Sequence, residues 1–281
     1  MKTFEKGVEL RNTILDLKNS EKKIGFVPTM GALHQGHVSL VKRSVAENDY
    51  TAVSIFVNPT QFNDKNDLKN YPRTLEKDLN LLSENGCDFV FIPTVEEMYP
   101  EQDTRNFSFG TIEEVMEGKH RPGHFNGVAQ IVSKLFDVVP AQKAYFGEKD
   151  FQQVAIINKL KEILEIPVEI VPCPIFRETD GLAMSSRNML LSDAQRKNAP
   201  HIYQTLRNSL EKAKSVSVES LKKWVVETID ANPELSTEYF DIVDAYTLQS
   251  IGNWKESSNL IGCIAVKVGK IRLIDNIRYN L

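Results

Sequence analysis

Pro28-Thr-Met-Gly-Ala-Leu-His-Gln-Gly-His37 is the stretch from which the rest of the chain is best read. An apolar run, Ile24–Pro28, leads into it. A helical pattern with Val38, Val41 and Val45 on one face leads out. Strand, glycine-containing turn and helix in succession place this turn at the carboxyl end of a strand, where open α/β sheets bind their ligands. Gly31 permits a backbone turn that other residues resist. Gly36 lets a ligand approach the chain where the helix begins, and the N–H groups and positive dipole end there suit a phosphate. His34 and His37 are three residues apart, so at a helix start they share one face at roughly 5–6 Å. Two imidazoles above a phosphate can hydrogen-bond a developing phosphorane. The plainer alternative is a pair of surface histidines in an ordinary connecting loop. No acidic residue or cysteine stands at ligand spacing beside them, which disfavours a metal site.

Outward from this stretch, strands and helices alternate. Thr51–Val57, Asp88–Ile92, Ala144–Phe146 and Val168–Val171 are further apolar or β-branched runs. Between them lie helical repeats: Leu75, Leu79 and Leu82; Val128, Ile131, Val132, Leu135 and Phe136; Val154, Ile157, Leu160 and Leu164. Continuous apolar strands alternating with amphipathic helices predict a parallel sheet covered on both faces, a doubly wound, Rossmann-like α/β domain. After about residue 176 the pattern changes. Two helical stretches are expected near Ser192–Lys214 and Ser217–Ala231, each opened by a serine cap. Three strand candidates follow, Tyr239–Ala245, Leu260–Val268 and Ile271–Asp275, the last two joined by a tight turn at Gly269-Lys270. The expected organisation is a nucleotide- and substrate-binding domain over 1–176 and a smaller α+β lid domain over 177–281.

Composition excludes several classes of function. The 281 residues are 41% hydrophobic and 26% charged, ordinary for a globular protein and unlike a disordered chain or a disulfide scaffold. No run reaches the ~18–20 apolar residues of a membrane span. The opening Met-Lys-Thr-Phe-Glu-Lys-Gly is charged early and has no apolar core, so no signal peptide is expected. A net charge of -4 gives no global basic field for nucleic acid. The three cysteines, Cys87, Cys173 and Cys263, lack C-x-x-C spacing and read as structural thiols of a reducing compartment; Cys87 and Cys263 lie in apolar, strand-like runs.

Three more segments carry chemistry. In Phe56-Val-Asn-Pro-Thr-Gln-Phe62, at the end of a strand, Gln61 is a neutral donor and acceptor able to read a hydroxyl or carboxylate. In Ala144-Tyr-Phe-Gly-Glu-Lys-Asp150 a strand ends at Gly147, Lys149 can serve as a phosphate point charge, Asp150 can cap the next helix, and Gln153 lies one turn on. In Phe176-Arg-Glu-Thr-Asp-Gly-Leu-Ala-Met-Ser-Ser-Arg-Asn188, Ser185 and Ser186 join the Arg187 guanidinium, a set apt for a polyphosphate tail on a mobile loop. Each segment alone is also readable as a solvated turn or a polar linker, and for Ala144–Asp150 the solvated turn is the stronger reading.

Together, in this order and at this spacing, the four segments resemble the pantoate–β-alanine ligases, a family within the H-x-G-H nucleotidyltransferases. Tyr71-Pro-Arg-Thr74 and His124-Phe-Asn-Gly-Val128 extend the resemblance over nearly the whole chain. What it implies is an ATP-dependent condensation in two halves: pantoate and ATP give pantoyl adenylate and pyrophosphate, then the amine of β-alanine displaces AMP. The resemblance implies nucleotide contacts from Met30, Gly31, Ala32, Leu33, His34, Gln35, Gly36 and His37, from Gly147, Glu148, Lys149 and Asp150, and from Phe176, Met184, Ser185, Ser186 and Arg187. Catalytic roles are implied for His37, the family's proton donor, and for His34, Lys149, Ser185, Ser186 and Arg187. Gln61 and Gln153 are implied to hold pantoate, with Gln61 also near β-alanine. Position 176 is usually aliphatic in the family, so Phe176 is a departure. Mg2+ is expected with ATP. Asp78 matches an acidic position that helps bind metal in some relatives, but its neighbour is Lys77, and the metal ligands are left unassigned. A cytoplasmic homodimer without nucleic-acid or membrane partners is the family's habit. Other readings are a nucleotidyltransferase acting on a phosphorylated acceptor, a nucleotide sensor, and an RNA binder. The first usually lacks the two glutamines, the second would have lost its histidines or Lys149, and the third is weakened by the net charge.

Overall fold

The computed structural model describes residues 1–280. Its residues group into two compact units: 1–109, 121–148 and 153–174 form the first, and 110–120, 149–152 and 175–280 the second.

The first unit is built on a six-stranded parallel sheet, β1 (Lys2–Phe4), β2 (Ile24–Thr29), β3 (Tyr50–Ile55), β4 (Phe89–Phe91), β5 (Lys143–Gly147) and β6 (Glu169–Cys173), in the order β1-β4-β3-β2-β5-β6. The chain runs from β2 through β3 to β4 on one side, then returns to place β5 on the other side of β2. The β2–β5 boundary is therefore the topological switch point, where a doubly wound sheet leaves a crevice at its carboxyl edge. The turn after β2 opens onto that edge. Helices α1 (Gly7–Asn19), α2 (Gln35–Glu47), α3 (Lys65–Asn70), α4 (Leu75–Glu84), α5 (Val95–Met98), α7 (His124–Val138) and α8 (Phe151–Ile163) fill the connections, while α6 (Met116–His120) groups with the second unit. The core follows the sequence pattern. Val27, Val53, Val90 and Tyr145 of the strands pack with Leu40 and Val41 of α2 and Leu82 of α4, all buried. Val45, Leu75 and Leu164, read as part of the apolar stripes, stay 38–45% exposed at helix ends.

The second unit pairs helices α9 (Asp193–Asn198), α10 (His201–Ala213) and α11 (Val218–Asp230) with an antiparallel sheet, β7 (Leu235–Asp244), β8 (Leu260–Val268) and β9 (Ile271–Tyr279). Leu206, Leu221, Val225, Ile242, Ile264 and Val266 form its core. Val268 pairs with Ile271, so Gly269-Lys270 is the expected two-residue turn. Several details differ from the expected pattern. Strand β7 begins at Leu235 instead of Tyr239, and β9 runs to Tyr279 instead of Asp275. The helix expected over 192–214 is two, because Pro200 cannot donate to the ladder and α9 ends before it. A strand precedes Ile24–Pro28: β1 pairs with β4 at the sheet edge. Cys87 lies before β4 and not within it, though it is buried.

Candidate active site

The turn after β2 is wound tightly. Gly31 has φ +79 and Ala32 φ +50, two consecutive left-handed residues. Gly31 adopts this freely, whereas a side chain there costs roughly 1–2 kcal/mol. The turn is fastened from both sides. Thr29 Oγ1 donates to the Ser54 carbonyl at 2.7 Å and accepts from Gly31 N–H at 3.2 Å. Asp78, on the first turn of α4 and 1% exposed, accepts from Ala32 N–H at 2.8 Å and Leu33 N–H at 2.9 Å, and also from Thr74 Oγ1 at 2.9 Å. Hydrogen bonds to an ionised carboxylate contribute about 1.5–3 kcal/mol, enough to offset the strain at Ala32. The acidic position that the sequence matched to a metal patch is thus committed to backbone amides.

His34 is the N-cap of α2 and His37 its third residue. His34 Nδ1 accepts from Gly36 N–H at 3.1 Å, and His34 N–H donates to His37 Nδ1 at 3.3 Å. Their ring centroids are 4.1 Å apart. This is a capping box made of two imidazoles. Two donors that the sequence reading offered to phosphate are therefore used by the histidines themselves. The compensation is chemical: a neutral imidazole that accepts at Nδ1 carries its proton on Nε2. The neutral tautomer that fits this box is, for each ring, the one with its proton on Nε2.

Glu47, at the other end of α2, accepts from Lys143 Nζ at 2.9 Å, Arg43 Nε at 2.9 Å and Tyr145 Oη at 3.0 Å. The bonds to Lys143 and Arg43 hold its carboxyl down at about 2. Since Lys143 and Tyr145 belong to β5, the helix bearing the histidines is tied at its far end to the strand beside β2.

Gln61 sits on a single 3-10 turn, Pro59–Gln61, after β3. Its Oε1 accepts from Asn58 Nδ2 at 3.1 Å, and its Nε2 points to Met30 Sδ at 3.1 Å. Asn58 is 1% exposed and organises the turn. Nδ2 also donates to the Gly127 carbonyl at 3.1 Å, and Oδ1 accepts from Tyr99 Oη at 2.8 Å and Thr60 Oγ1 at 3.1 Å. His124 Nδ1 meets the Gln61 carbonyl at 2.8 Å. Helix α7 approaches so closely that a Cβ on Gly127 would lie 2.5 Å from the Thr60 carbonyl oxygen. Asn58, Tyr99 and His124 carry no functional assignment from the sequence, and Asp78 only a match to a metal position. Asn58 carried one readable signal, an Asn-Pro dipeptide that favours an Asx turn; the other three act over long sequence separations.

Strand β5 ends at Gly147, and Glu148–Asp150 form a 3-10 turn into α8. Gln153, half-buried on α8, belongs to the first unit with the histidines and Gln61. The first unit thus contains Met30 through His37, Gln61, Gly147, Glu148 and Gln153. Lys149, Asp150, Phe176, Met184, Ser185, Ser186 and Arg187 belong to the second unit. There Lys149 Nζ lies 3.5 Å from Asp150 Oδ2. Ser185 caps the 3-10 turn Ser186–Leu190, its Oγ accepting from Arg187 N–H at 3.3 Å. Phe176 is 41% exposed, while its carbonyl accepts from Met184 N–H at 3.0 Å. Phe176 therefore shapes the loop through its backbone.

The three thiols are free and buried. Burial pushes the Cys87 thiol up to about 12 and raises Cys173 and Cys263 as well, so none is poised as a thiolate nucleophile. No group of three or more metal-binding side chains occurs among the described residues. No helix among them is long and apolar enough to cross a membrane.

Against known proteins, residues 2–278 match the family model described as pantoate-beta-alanine ligase. A pantothenate synthetase of Phocaeicola vulgatus is 57% identical over 281 residues, covering 100% of both chains. That of Porphyromonas gingivalis is 54% identical over 280 residues, again with 100% of both covered. Among solved structures, a pantothenate synthetase from Thermus thermophilus superposes with a TM-score of 0.92 at 43% identity, over 99% of this chain and 100% of the other. A pantoate-beta-alanine ligase from Francisella tularensis, complexed with beta-gamma ATP and beta-alanine, gives 0.83 at 36% identity, over 99% and 97%.

Proposed function

The chain belongs to the pantoate–β-alanine ligase family, and from that premise we propose that it condenses pantoate with β-alanine at the expense of ATP through an enzyme-held pantoyl adenylate. In the first half a pantoate carboxylate oxygen attacks the α-phosphorus of ATP, and the bond to pyrophosphate breaks. In the second the β-alanine amine attacks the acyl carbon, the bond to AMP breaks, and the amine loses a proton as the amide forms. Adenylation is needed because oxide is a poor leaving group from a carboxylate. The ATP and β-alanine bound by the Francisella relative support these two substrates.

The observation that carries the reading is the imidazole capping box. Two imidazoles fixed side by side at a helix start, each able to carry its proton on Nε2, suit phosphate oxygens on which charge develops. In this reading His37 donates the proton and His34 steadies the phosphates. Gln61, held by Asn58, and Gln153 bind pantoate, with Gln61 also near β-alanine. Lys149, Ser185, Ser186 and Arg187 neutralise the departing pyrophosphate. Met30 through Gly36, Gly147, Glu148, Asp150, Phe176 and Met184 complete the nucleotide contacts. Residues 1–176 supply the pantoate site and most nucleotide contacts, and 177–281 the lid that carries Met184 through Arg187.

Mg2+ belongs to this proposal only as the companion of ATP phosphates. The acidic side chain best placed by sequence, Asp78, spends its carboxylate on Ala32, Leu33 and Thr74, so the residues present do not build a protein cage for the ion. A cytoplasmic homodimer without membrane or nucleic-acid partners completes the reading.

Labelled pyrophosphate exchange tests the order of steps. Exchange into ATP is expected with pantoate and Mg2+ in the absence of β-alanine, and none without pantoate. Exchange that requires β-alanine would replace the adenylate by a concerted or reordered reaction. Exchange without pantoate would point to a nucleotidyl-enzyme.

A further inference from the structure

Strand β9 carries two consecutive buried polar residues, Asp275 and Asn276, at 4% and 6% exposure, whose hydrogen bonds lead in different directions. Asp275 grips Arg177 through two parallel bonds, Nη1 to Oδ2 at 2.7 Å and Nη2 to Oδ1 at 2.9 Å. Arg177 Nη1 also donates to the Gly181 carbonyl at 3.1 Å, and its guanidinium lies 3.8 Å from the centre of the Tyr203 ring. From there the chain doubles back. Arg177 pairs with Ala183 in an antiparallel bridge, Glu178 N–H donates to the Leu182 carbonyl at 2.9 Å, and Asn188 Nδ2 donates to Glu178 Oε1 and the Ala183 carbonyl. The segment Met184–Arg187 is held between these fixed ends.

In the other direction, Asn276 Nδ2 donates to the Lys149 carbonyl at 3.2 Å, while Asn276 N–H donates to Asp275 Oδ1 at 2.7 Å. The same short turn is fastened three residues later. Gln152, 3% exposed, donates from Nε2 to the Ile112 and Val115 carbonyls at 2.7 and 2.9 Å and accepts from Glu117 N–H at 2.9 Å. Glu117 is held in turn by Arg272 of β9. The backbone of Lys149 is therefore anchored on β9 and by Gln152.

We infer that Asn276 is a positioning residue for Lys149, and that Asp275 with Arg177 sets Ser185–Arg187 from the same point of β9. This rests on the reading of Lys149 and Arg187 as groups for the ATP phosphates. The physical need is plain. A lysine ammonium rides on a flexible four-carbon stem, so its mean position is set by where its backbone is fixed. Spreading that position by about 1 Å costs on the order of 10²-fold in rate. A single strand that fixes both cationic segments keeps their separation constant.

The experiment uses the full chain with Asn276→Ala, with Asn276→Leu as a variant of similar volume that also lacks the donor, and with each combined with Lys149→Ala. For both Asn276 variants, kcat/KM for ATP is expected to fall roughly 10- to 100-fold while KM for β-alanine stays within about twofold. In the Lys149→Ala background either change should add less than about twofold, because the group it positions is gone. Hydrogen exchange of the amides over 148–152 should quicken in Asn276→Ala. Unchanged ATP kinetics, equal damage to β-alanine, full additivity with Lys149→Ala, or unchanged exchange over 148–152 would each overturn the inference. Failure of the underlying reading looks different: Lys149→Ala alone would then leave kcat/KM for ATP intact, whatever the exchange over 148–152 shows.

Discussion

Asp78 accepts the backbone N–H of Ala32 at 2.8 Å, and Ala32 stands at φ +50, a left-handed conformation that alanine does not favour. The carboxylate and the strained residue are 46 positions apart in the chain, yet one holds the other. Asp78→Asn keeps the volume but removes the charge and turns one acceptor into a donor facing an N–H. It is expected to lower stability by about 1–3 kcal/mol, the cost of leaving a buried amide unsatisfied. Because His34 lies two residues beyond Ala32, kcat should fall with it. Urea unfolding and steady-state rates on the same preparation check both; full stability and full rate would remove the clamp from the account.

The imidazole capping box separates two roles that one substitution usually confounds. In His37→Asn the amide oxygen can replace Nδ1 as acceptor for His34 N–H, but nothing replaces Nε2. The fold should persist while the adenylation rate falls by on the order of 10²–10⁴. In His37→Gln the amide reaches the Nε2 position and part of the rate should return. Pyrophosphate exchange measured for both decides it. Equal rates for His37→Asn and the native chain would exclude Nε2 from the chemistry.

Gly127 is a test of placement at a distance. An added Cβ would sit 2.5 Å from the Thr60 carbonyl oxygen and 2.8 Å from Gln61 Cα, so α7 or the Gln61 turn must shift. Overpacking of this kind costs about 1–3 kcal/mol. Gly127→Ala should raise KM for pantoate at least as much as it lowers the unfolding midpoint, with KM for ATP little changed. A variant that lost stability alone would show that the Gln61 turn absorbs the strain.

Acid sensitivity has a definite sign. Arg105 donates to Asp103 from Nε at 2.9 Å and Nη2 at 2.6 Å, which holds that carboxyl at about 2 against an ordinary 3.8. A carboxylate with a depressed folded value contributes stability that is complete above its unfolded value and disappears as pH falls toward the folded one. Arg105→Gln should therefore be less stable than the native chain near about pH 6, with the gap closing between about pH 4 and pH 2. Urea midpoints across that range measure it. A gap that stayed constant to pH 2 would assign the loss to packing.

What was legible in the sequence was periodic or local. The strands Tyr50–Ile55 and Leu260–Val268 announce themselves by unbroken apolar and β-branched runs, and α2 by its valines. Lys2–Phe4 was not legible, because three residues with one buried side chain have no period to detect. The break at Pro200 was written in the chain but masked by an amphipathic pattern that continues on both sides. Within the candidate site, the histidines and Gln61 stood in turns at strand ends, where position alone is informative. Asp78 and Asn276 did not, since each serves a backbone that folding alone brings near, and a helix aspartate or a strand asparagine looks the same wherever its partner lies.

The imidazole capping box also bears on how freely this protein can drift or be redesigned. His34 and His37 close the hydrogen bonds of a helix start through Nδ1. Any replacement at either position is judged twice, once by whether the chain folds and once by whether the product forms. A replacement that cannot accept the backbone N–H costs roughly 0.5–2 kcal/mol of stability on top of its effect on rate. Routes to a new acceptor or a new acid therefore lead through Gln61 and its supports, where one amide can be changed without unpicking a helix.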